Sequence, residues 1–102
     1  MNIILVCSAG MSTSMLVNKM VKEAEERSFA TDIKAVAESE LKNHVEHIDV
    51  VLIGPQVRYL EKKIKAQVEP LGVKVAIIDQ RAYGLIQGEK VLDQAIALME
   101  EE

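Results

Sequence analysis

The chain has 102 residues, a net charge of −4 and a hydrophobic fraction of 49%, which predicts a single domain with one core over residues 1–102. Only 3% of the residues are aromatic and no lysine or arginine cluster occurs, so nucleic-acid binding is disfavoured. A single cysteine and two histidines exclude an internal disulfide and disfavour a structural zinc site, and we expect neither a metal nor a cofactor.

The start of the chain and its apolar runs bear on where the protein works. Met1 leads directly into a strand-like pattern, without a basic segment or a cleavage site, so we expect no signal peptide. No apolar run approaches the ~18 residues that a membrane-spanning helix needs. These features predict a soluble, cytoplasmic protein whose thiol is reduced.

Strand-like and helix-like segments alternate along the chain. Strands are predicted, in chain order, over residues 2–6, 33–37, 49–53 and 73–78. Apolar positions at helical spacing predict helices from Ser14 to about Arg27, from Gln56 to about Glu69 and from Gly88 to Glu100. The stretch from 38 to 47 leaves a short helix or a loop open. The alternation predicts an α/β fold, a parallel sheet with helices on both faces.

The apolar content of each strand predicts its place in the sheet. Strands 2–6 and 49–53 are continuously apolar, which is typical of central strands covered on both faces, whereas 33–37 is more polar and suits an edge. With right-handed crossovers this gives a four-stranded order 2-1-3-4, the flavodoxin-like arrangement. Ligands then bind beyond the carboxyl ends of strands 1 and 3. Cys7 ends strand 1, and Gly54, Pro55 and Gln56 follow strand 3.

The loop after Cys7 combines small and hydroxyl-bearing residues. Its backbone N–H groups can converge, and the start of the next helix adds unpaired N–H groups and a partial positive charge, so the loop predicts an anion site. Such a site would stabilise a nucleophilic thiolate at Cys7. We expect Ser12, Thr13 or Ser14 to cap the helix. The expected phosphate-binding residues are Ser8, Ala9, Gly10, Met11, Ser12, Thr13 and Ser14. The alternative is that Cys7 is a buried packing residue.

Three related site types fail on spacing. A Walker loop needs a second glycine and a lysine that do not arrive after Gly10. A receiver domain needs acidic residues after strand 1 and an acceptor aspartate after strand 3, yet Cys7 and Gly54 stand at those places, and Asp49 lies at the other end of its strand. A redox dithiol needs a second cysteine, which the chain lacks.

A cysteine phosphatase is the nearest alternative. Those enzymes place an arginine six positions after the cysteine to grip the phosphate, and this chain has Thr13 there. Asp79, after strand 4, leaves open a general acid or a turn residue at a strand end. Without the arginine a phosphorylated Cys7 should hydrolyse slowly, which favours a phosphoryl carrier over a hydrolase.

The string CSAGMSTS from Cys7 to Ser14, with Gly54-Pro55-Gln56 after strand 3 and Tyr83-Gly84 after strand 4, resembles the enzyme IIB component of the sugar phosphotransferase system, lactose/cellobiose class. The resemblance covers essentially the whole chain. It implies a fold related to low-molecular-weight tyrosine phosphatases. It also implies that Cys7 takes a phosphoryl group from a phosphohistidine of the IIA partner and passes it to a sugar held by the membrane component IIC. A β-diglucoside such as cellobiose is the sugar it favours.

Two other functions stay open beside that resemblance. They are a low-molecular-weight cysteine phosphatase and a non-catalytic, anion-binding regulatory module. The remaining polar residues near the expected edge fit any of these functions. Gly54, Pro55, Gln56 and Tyr83 are possible contacts to the site or to a partner, and Met11 either contacts a partner or packs on the core.

Four further side chains have weaker functional interpretations. Arg58 and Arg81 are the cations nearest that edge, and each either helps to neutralise phosphate or is solvated surface charge. His44 and His47 have helical spacing, but they lack a third ligand and precede strand 3, so a structural role is favoured.

Overall fold

The computed structural model describes residues 1–7, 11–44 and 46–100, without the side chains of residues 11 and 12. Its strands are β1 (Asn2–Val6), β2 (Asp32–Val36), β3 (Val50–Ile53) and β4 (Lys74–Ile77). Its α-helices are α1 (Met11–Glu26), α2 (Glu61–Val68), α3 (Gln80–Gly84) and α4 (Gly88–Glu100). Short 3₁₀ helices cover Glu38–His44, Pro55–Leu60 and Glu69–Leu71.

The four strands form one parallel sheet in the order β2-β1-β3-β4, which confirms the predicted topology. Ile3 pairs with Ile33 on one side and with Val50 on the other, so β1 is central. All four residues of β3 are fully buried, whereas three of the five residues of β2 are exposed, as expected of an edge strand. The carboxyl ends of β1 and β3 therefore lie side by side.

Alternate residues of the central strands belong to two separate hydrophobic cores, one on each face of the sheet. On one face Ile3, Leu5, Val50 and Leu52 pack against α1, α3 and α4. On the other face the intervening residues of the same strands pack against α2 and the 3₁₀ segments. A strand buried on both faces needs apolar residues at every position, which is why β1 and β3 read as unbroken apolar runs.

The start of α1 differs from the prediction. The helix begins at Met11, not at Ser14, so Ser12, Thr13 and Ser14 lie inside its first turn and the prediction that one of them caps it is wrong. The N–H groups of a first turn have no partner within the helix, so serine and threonine are tolerated there. Thr13 is only 3% exposed, because its side chain turns into the protein.

Two other helical segments depart from a simple pattern. The segment predicted as one helix from Gln56 begins as a 3₁₀ helix, and Val57 has φ −118° and ψ 27°, outside the helical range. That deviation brings Val57 into the core between the sheet and α2. The sequence pattern missed α3 altogether. Asp79 caps it, its Oδ2 accepting a hydrogen bond from the backbone N–H of Ala82 at 2.9 Å.

Helices α1 and α4 lie against each other over the same face of the sheet. At their outer edge Arg27 donates to Glu23 and to Asp93, each at 2.7 Å, and the Asp93 and Glu23 hydrogen bonds raise the pKa of Arg27. Among the described residues, no helix is both long and apolar enough to cross a membrane.

Candidate functional site

Cys7 lies one residue beyond β1, at the carboxyl edge of the sheet. Its backbone N–H donates to the carbonyl of Val36 at 3.3 Å, and the N–H of Gly54 donates to the carbonyl of Val6 at 2.8 Å. These two bonds continue the parallel ladder past the strand ends, so the backbone of Cys7 is held between the ends of β2 and β3. The residue is 7% exposed and its thiol is free.

Gly54, the residue that follows the central strand β3, lies beside Cys7. A Cβ atom placed there would lie 3.4 Å from the Cβ of Cys7 and 3.3 Å from the Oε1 atom of Gln56. The φ of Gly54 is −61°, which any residue can adopt, so a side chain here would be limited by these contacts and not by the backbone angle. The structure therefore brings Cys7, Gly54 and Gln56 together, as their places in the sequence predicted.

A cavity opens beside the thiol. Cys7, Thr13 and Ser14 line it from β1 and α1, and the stretch from Ala35 to Ala37 together with Glu40 lines it from the end of β2 and the following 3₁₀ helix. Glu40 is exposed and places a carboxylate at the rim. We did not predict a site role for Glu40. Its position after an edge strand was the available signal, since the carboxyl ends of all parallel strands share one edge.

Thr13 and Tyr83 meet inside the protein. The Thr13 Oγ1 and Tyr83 Oη atoms are 3.2 Å apart, within hydrogen-bond distance, and the two residues are 3% and 9% exposed. The position where a phosphatase would carry its arginine thus holds a buried hydroxyl paired with another hydroxyl. Tyr83 was predicted as a possible partner contact, and its burial leaves little of the ring available for one.

Asp79 has a local structural partner. Its carboxylate accepts from Ala82 and its backbone N–H donates to the Gln94 Oε1 atom at 3.1 Å. This is the turn-residue alternative of the two that the sequence left open. The bonds fix Asp79, which lies two positions after the end of β4, and hold α3 against α4.

A shallow groove adjoins the site on the β4 side. Residues from the 3₁₀ helix after β3 and from α3 line it, namely Pro55, Gln56, Arg58, Tyr59, Gln80, Tyr83 and Gly84. Arg58 is exposed in this groove, whereas Arg81, also exposed, is on α3 but does not line it. Tyr59 is 77% exposed, so the groove presents an aromatic ring and a guanidinium to solvent.

The predicted phosphate-binding loop is only partly described. Ser8, Ala9 and Gly10 lie outside the described residues, as do the side chains of Met11 and Ser12. The cradle of backbone N–H groups around Cys7 therefore stays a prediction. The structure does describe the end of the loop that leads into α1. This helix begins at Met11, and its first turn contains no acidic residue.

His44 and His47 lie between β2 and β3 in the chain. They line a surface cleft with Asn2 and Asp32, residues from the starts of β1 and β2. Within the described part of the chain no three His, Cys, Asp or Glu side chains are grouped to bind a metal ion. His44 also lines a second groove with Ser14, Val36 and Glu40, which line the cavity beside Cys7, whereas His47 lines neither of these two openings.

Replacing Gly54 with alanine should slow alkylation of Cys7 by a thiol reagent several-fold. The added methyl group would be in van der Waals contact with the Cβ of Cys7 and the carbonyl oxygen of Val6, each 3.4 Å away, and would limit the approach of a reagent to the thiol. Timed labelling with iodoacetamide, followed by intact mass, measures the rate. Gly84→Ala is the matched control because nothing lies within 4 Å of its new Cβ. Equal labelling rates for the two variants would show that Gly54 does not crowd the thiol.

Comparisons with known proteins agree with this geometry. A family model described as the lactose/cellobiose-specific IIB subunit of the PTS system matches residues 2–94. The oligo-beta-mannoside-specific EIIB component of the PTS system of Bacillus subtilis is 39% identical over 95% of this chain and 94% of that protein. The lactose-specific EIICB component of Streptococcus mutans is 32% identical over 99% of this chain, which matches 17% of that longer protein.

Solved structures give the same result for the fold. The cellobiose-specific phosphotransferase IIB component of Borrelia burgdorferi has 44% sequence identity and a TM-score of 0.80 over 97% of this chain and 91% of that one. The arginine phosphatase YwlE has a TM-score of 0.62 at 14% identity, over 100% of this chain and 98% of that one. The second likeness concerns the fold alone, and it confirms the predicted relation to small phosphatases.

Proposed function

Because this chain belongs to the lactose/cellobiose-specific IIB family of the phosphotransferase system, whose members are phosphotransferases, we propose that Cys7 is its phosphoryl-carrying residue. The observation that carries the proposal is the place of this cysteine. The only thiol of the chain follows the central strand β1, against Gly54 at the end of β3, just before the helix α1.

The proposed first half-reaction moves a phosphoryl group from a IIA partner to Cys7. The thiolate sulfur attacks the phosphorus of a phosphohistidine, the S–P bond forms, the N–P bond breaks, and its electron pair returns to the imidazole nitrogen. The product adds about two negative charges near the start of α1, where the helix dipole favours them. No lysine or arginine occurs between Cys7 and Asn18, so within this segment only backbone N–H groups can supply positive charge.

The proposed second half-reaction passes the group to a sugar held by the membrane component IIC. A sugar hydroxyl attacks the phosphorus, the S–P bond breaks, the hydroxyl proton is released and the thiolate is regenerated. A relative whose name joins the IIC and B components supports this partnership, since IIC and IIB are parts of one chain in it. Relatives named for cellobiose and for oligo-beta-mannosides support a β-linked sugar, for which we propose a β-diglucoside such as cellobiose.

We further propose that the loop from Ser8 to Ser14 holds the phosphoryl group and that Gly54, Pro55 and Gln56 shape the site or contact the partners. Support comes from Gly54 and Gln56, which lie against Cys7 and at the groove beside it. A hydrolase is disfavoured on two counts. Thr13 stands buried where a phosphatase arginine would be, and the carboxylate of Asp79 caps α3.

The test is to incubate the protein with the general phosphotransferase proteins and a phosphorylated IIA. We expect intact mass to show one added phosphoryl group and phosphorus NMR to show a lasting S-phosphoryl signal. Adding membranes that contain IIC together with cellobiose should discharge it into sugar phosphate. Steady release of inorganic phosphate without sugar would identify a phosphatase instead, and a phosphoryl group on another residue would exclude Cys7.

A further inference from the structure

We propose that the hydrogen bond between Thr13 and Tyr83 positions the first turn of α1 for phosphoryl transfer at Cys7, an inference that rests on the function proposed above. The two hydroxyl oxygens are 3.2 Å apart and come from residues separated by 70 positions. The bond joins the first turn of α1 to α3, elements that follow different strands at the same edge of the sheet.

The Tyr83 end of the bond is anchored to the sheet and to α4. The Gln94 Nε2 atom donates to the carbonyl of Ile77 at 2.8 Å, and the Gln94 Oε1 atom accepts from the N–H of Asp79. Asp79 in turn caps α3, and its carbonyl accepts from the N–H of Tyr83 at 2.9 Å. These side-chain and backbone hydrogen bonds together fix the position of α3, and therefore the position of the Tyr83 hydroxyl.

The Thr13 end lies beside the reacting atom. Thr13 and Cys7 line the same cavity, and Thr13 belongs to the turn whose N–H groups have no partner within the helix. Those N–H groups are the donors available to a phosphoryl group on Cys7. A small slide or rotation of the turn would misdirect them, and a displacement of about 1 Å at a reacting centre can cost roughly a hundredfold in rate.

Burial makes the pair specific rather than incidental. Both residues are largely removed from water, so deleting one hydroxyl leaves the other without its partner in a site where water cannot readily replace it. The single losses should therefore be similar, and losing both hydroxyls should be no worse than losing one. A merely structural contact would instead lower the melting temperature without touching the rate of the chemical step.

The experiment uses Tyr83→Phe, Thr13→Val and the double variant, each of which removes only hydroxyl groups or exchanges one for a methyl. Single-turnover transfer from phosphorylated IIA is followed at several donor concentrations. We expect each variant to reach full phosphorylation, with an unchanged half-saturating donor concentration and a limiting rate about tenfold lower. The double variant should match the single ones. Thr13→Ser, which keeps the hydroxyl, should retain most of the rate.

Thr31→Val is the matched control, because it also removes a threonine hydroxyl with a hydrogen bond, to the Met1 carbonyl at 2.8 Å, away from the site. It should transfer at the wild-type rate. Three results would each overturn the inference. They are a wild-type rate in Tyr83→Phe, losses of rate that multiply in the double variant, and a change in the half-saturating donor concentration without a change in the limiting rate. Failure of the wild-type protein to become phosphorylated would instead refute the proposed function.

Discussion

Cys7→Ser should stop phosphoryl transfer through this protein, lowering formation of sugar phosphate by roughly a thousandfold or more. Serine fits the space of cysteine, but its hydroxyl is not ionised near neutral pH. Among the described residues that line the cavity, the exposed Glu40 is the only one that could act as a general base. The measurement is sugar phosphate formed with IIA, IIC membranes and cellobiose, compared with wild type.

Two controls make that result interpretable. Thermal unfolding should show that Cys7→Ser keeps the wild-type fold, since the side chains differ by one atom. The phosphohistidine of IIA should form normally and persist, which shows that the block is in the transfer to this protein. Sugar phosphate formed at the wild-type rate by Cys7→Ser would remove Cys7 from the mechanism and leave an anion-binding, non-catalytic role for the protein.

The sheet order and the location of the site were accessible from sequence for one physical reason. A parallel strand buried on both faces must be apolar at every position, and β1 and β3 are, so their central placement followed. Once they are neighbours, their carboxyl ends meet, and Cys7 must lie near Gly54. The two residues are close because of the order of the strands, and that order can be predicted from the hydrophobic pattern.

The parts that were missed depend on contacts that no local pattern encodes. Helix α3 has five residues, too few for a visible apolar stripe, and it forms around the Asp79 cap and the bonds to Gln94. The early start of α1 accompanies the burial of Thr13 against Tyr83. An aspartate directly after a strand was a usable sign of a helix cap, but the sequence held no sign of the contact between Thr13 and Tyr83.

Among alanine variants of the glycines that the structure describes, Gly88→Ala should lose the most stability, about 1–3 kcal/mol, with a fall in melting temperature of roughly 5–15 °C. Gly88 begins α4 and is buried against α1. A Cβ there would lie 2.7 Å from three atoms of Lys19 and Met20, of which two belong to the backbone. Backbone atoms cannot rotate away, so α1 and α4 must separate or α4 must start later.

Gly84→Ala is again the matched control, since it adds the same methyl group at the end of α3 with nothing within 4 Å. It should unfold within about 1 kcal/mol of wild type. Denaturant or thermal unfolding of the two variants side by side measures the difference. Equal stabilities would mean that α1 and α4 can move apart at little cost, and that their close approach at Gly88 is not required for stability.

Gly88→Ala should also slow phosphoryl transfer at Cys7. The helix that Gly88 contacts is α1, and α1 begins beside Cys7. Lys19 and Met20 are on α1, as is Thr13. The backbone hydrogen bonds of the helix couple these residues, so we expect a shift at Lys19 to extend to Thr13. Displacing α1 to relieve the contact would strain the Thr13–Tyr83 bond. Below its melting temperature, Gly88→Ala should therefore be phosphorylated more slowly than its folded fraction accounts for, whereas a rate that simply follows the folded fraction would show that α1 bends between the two points.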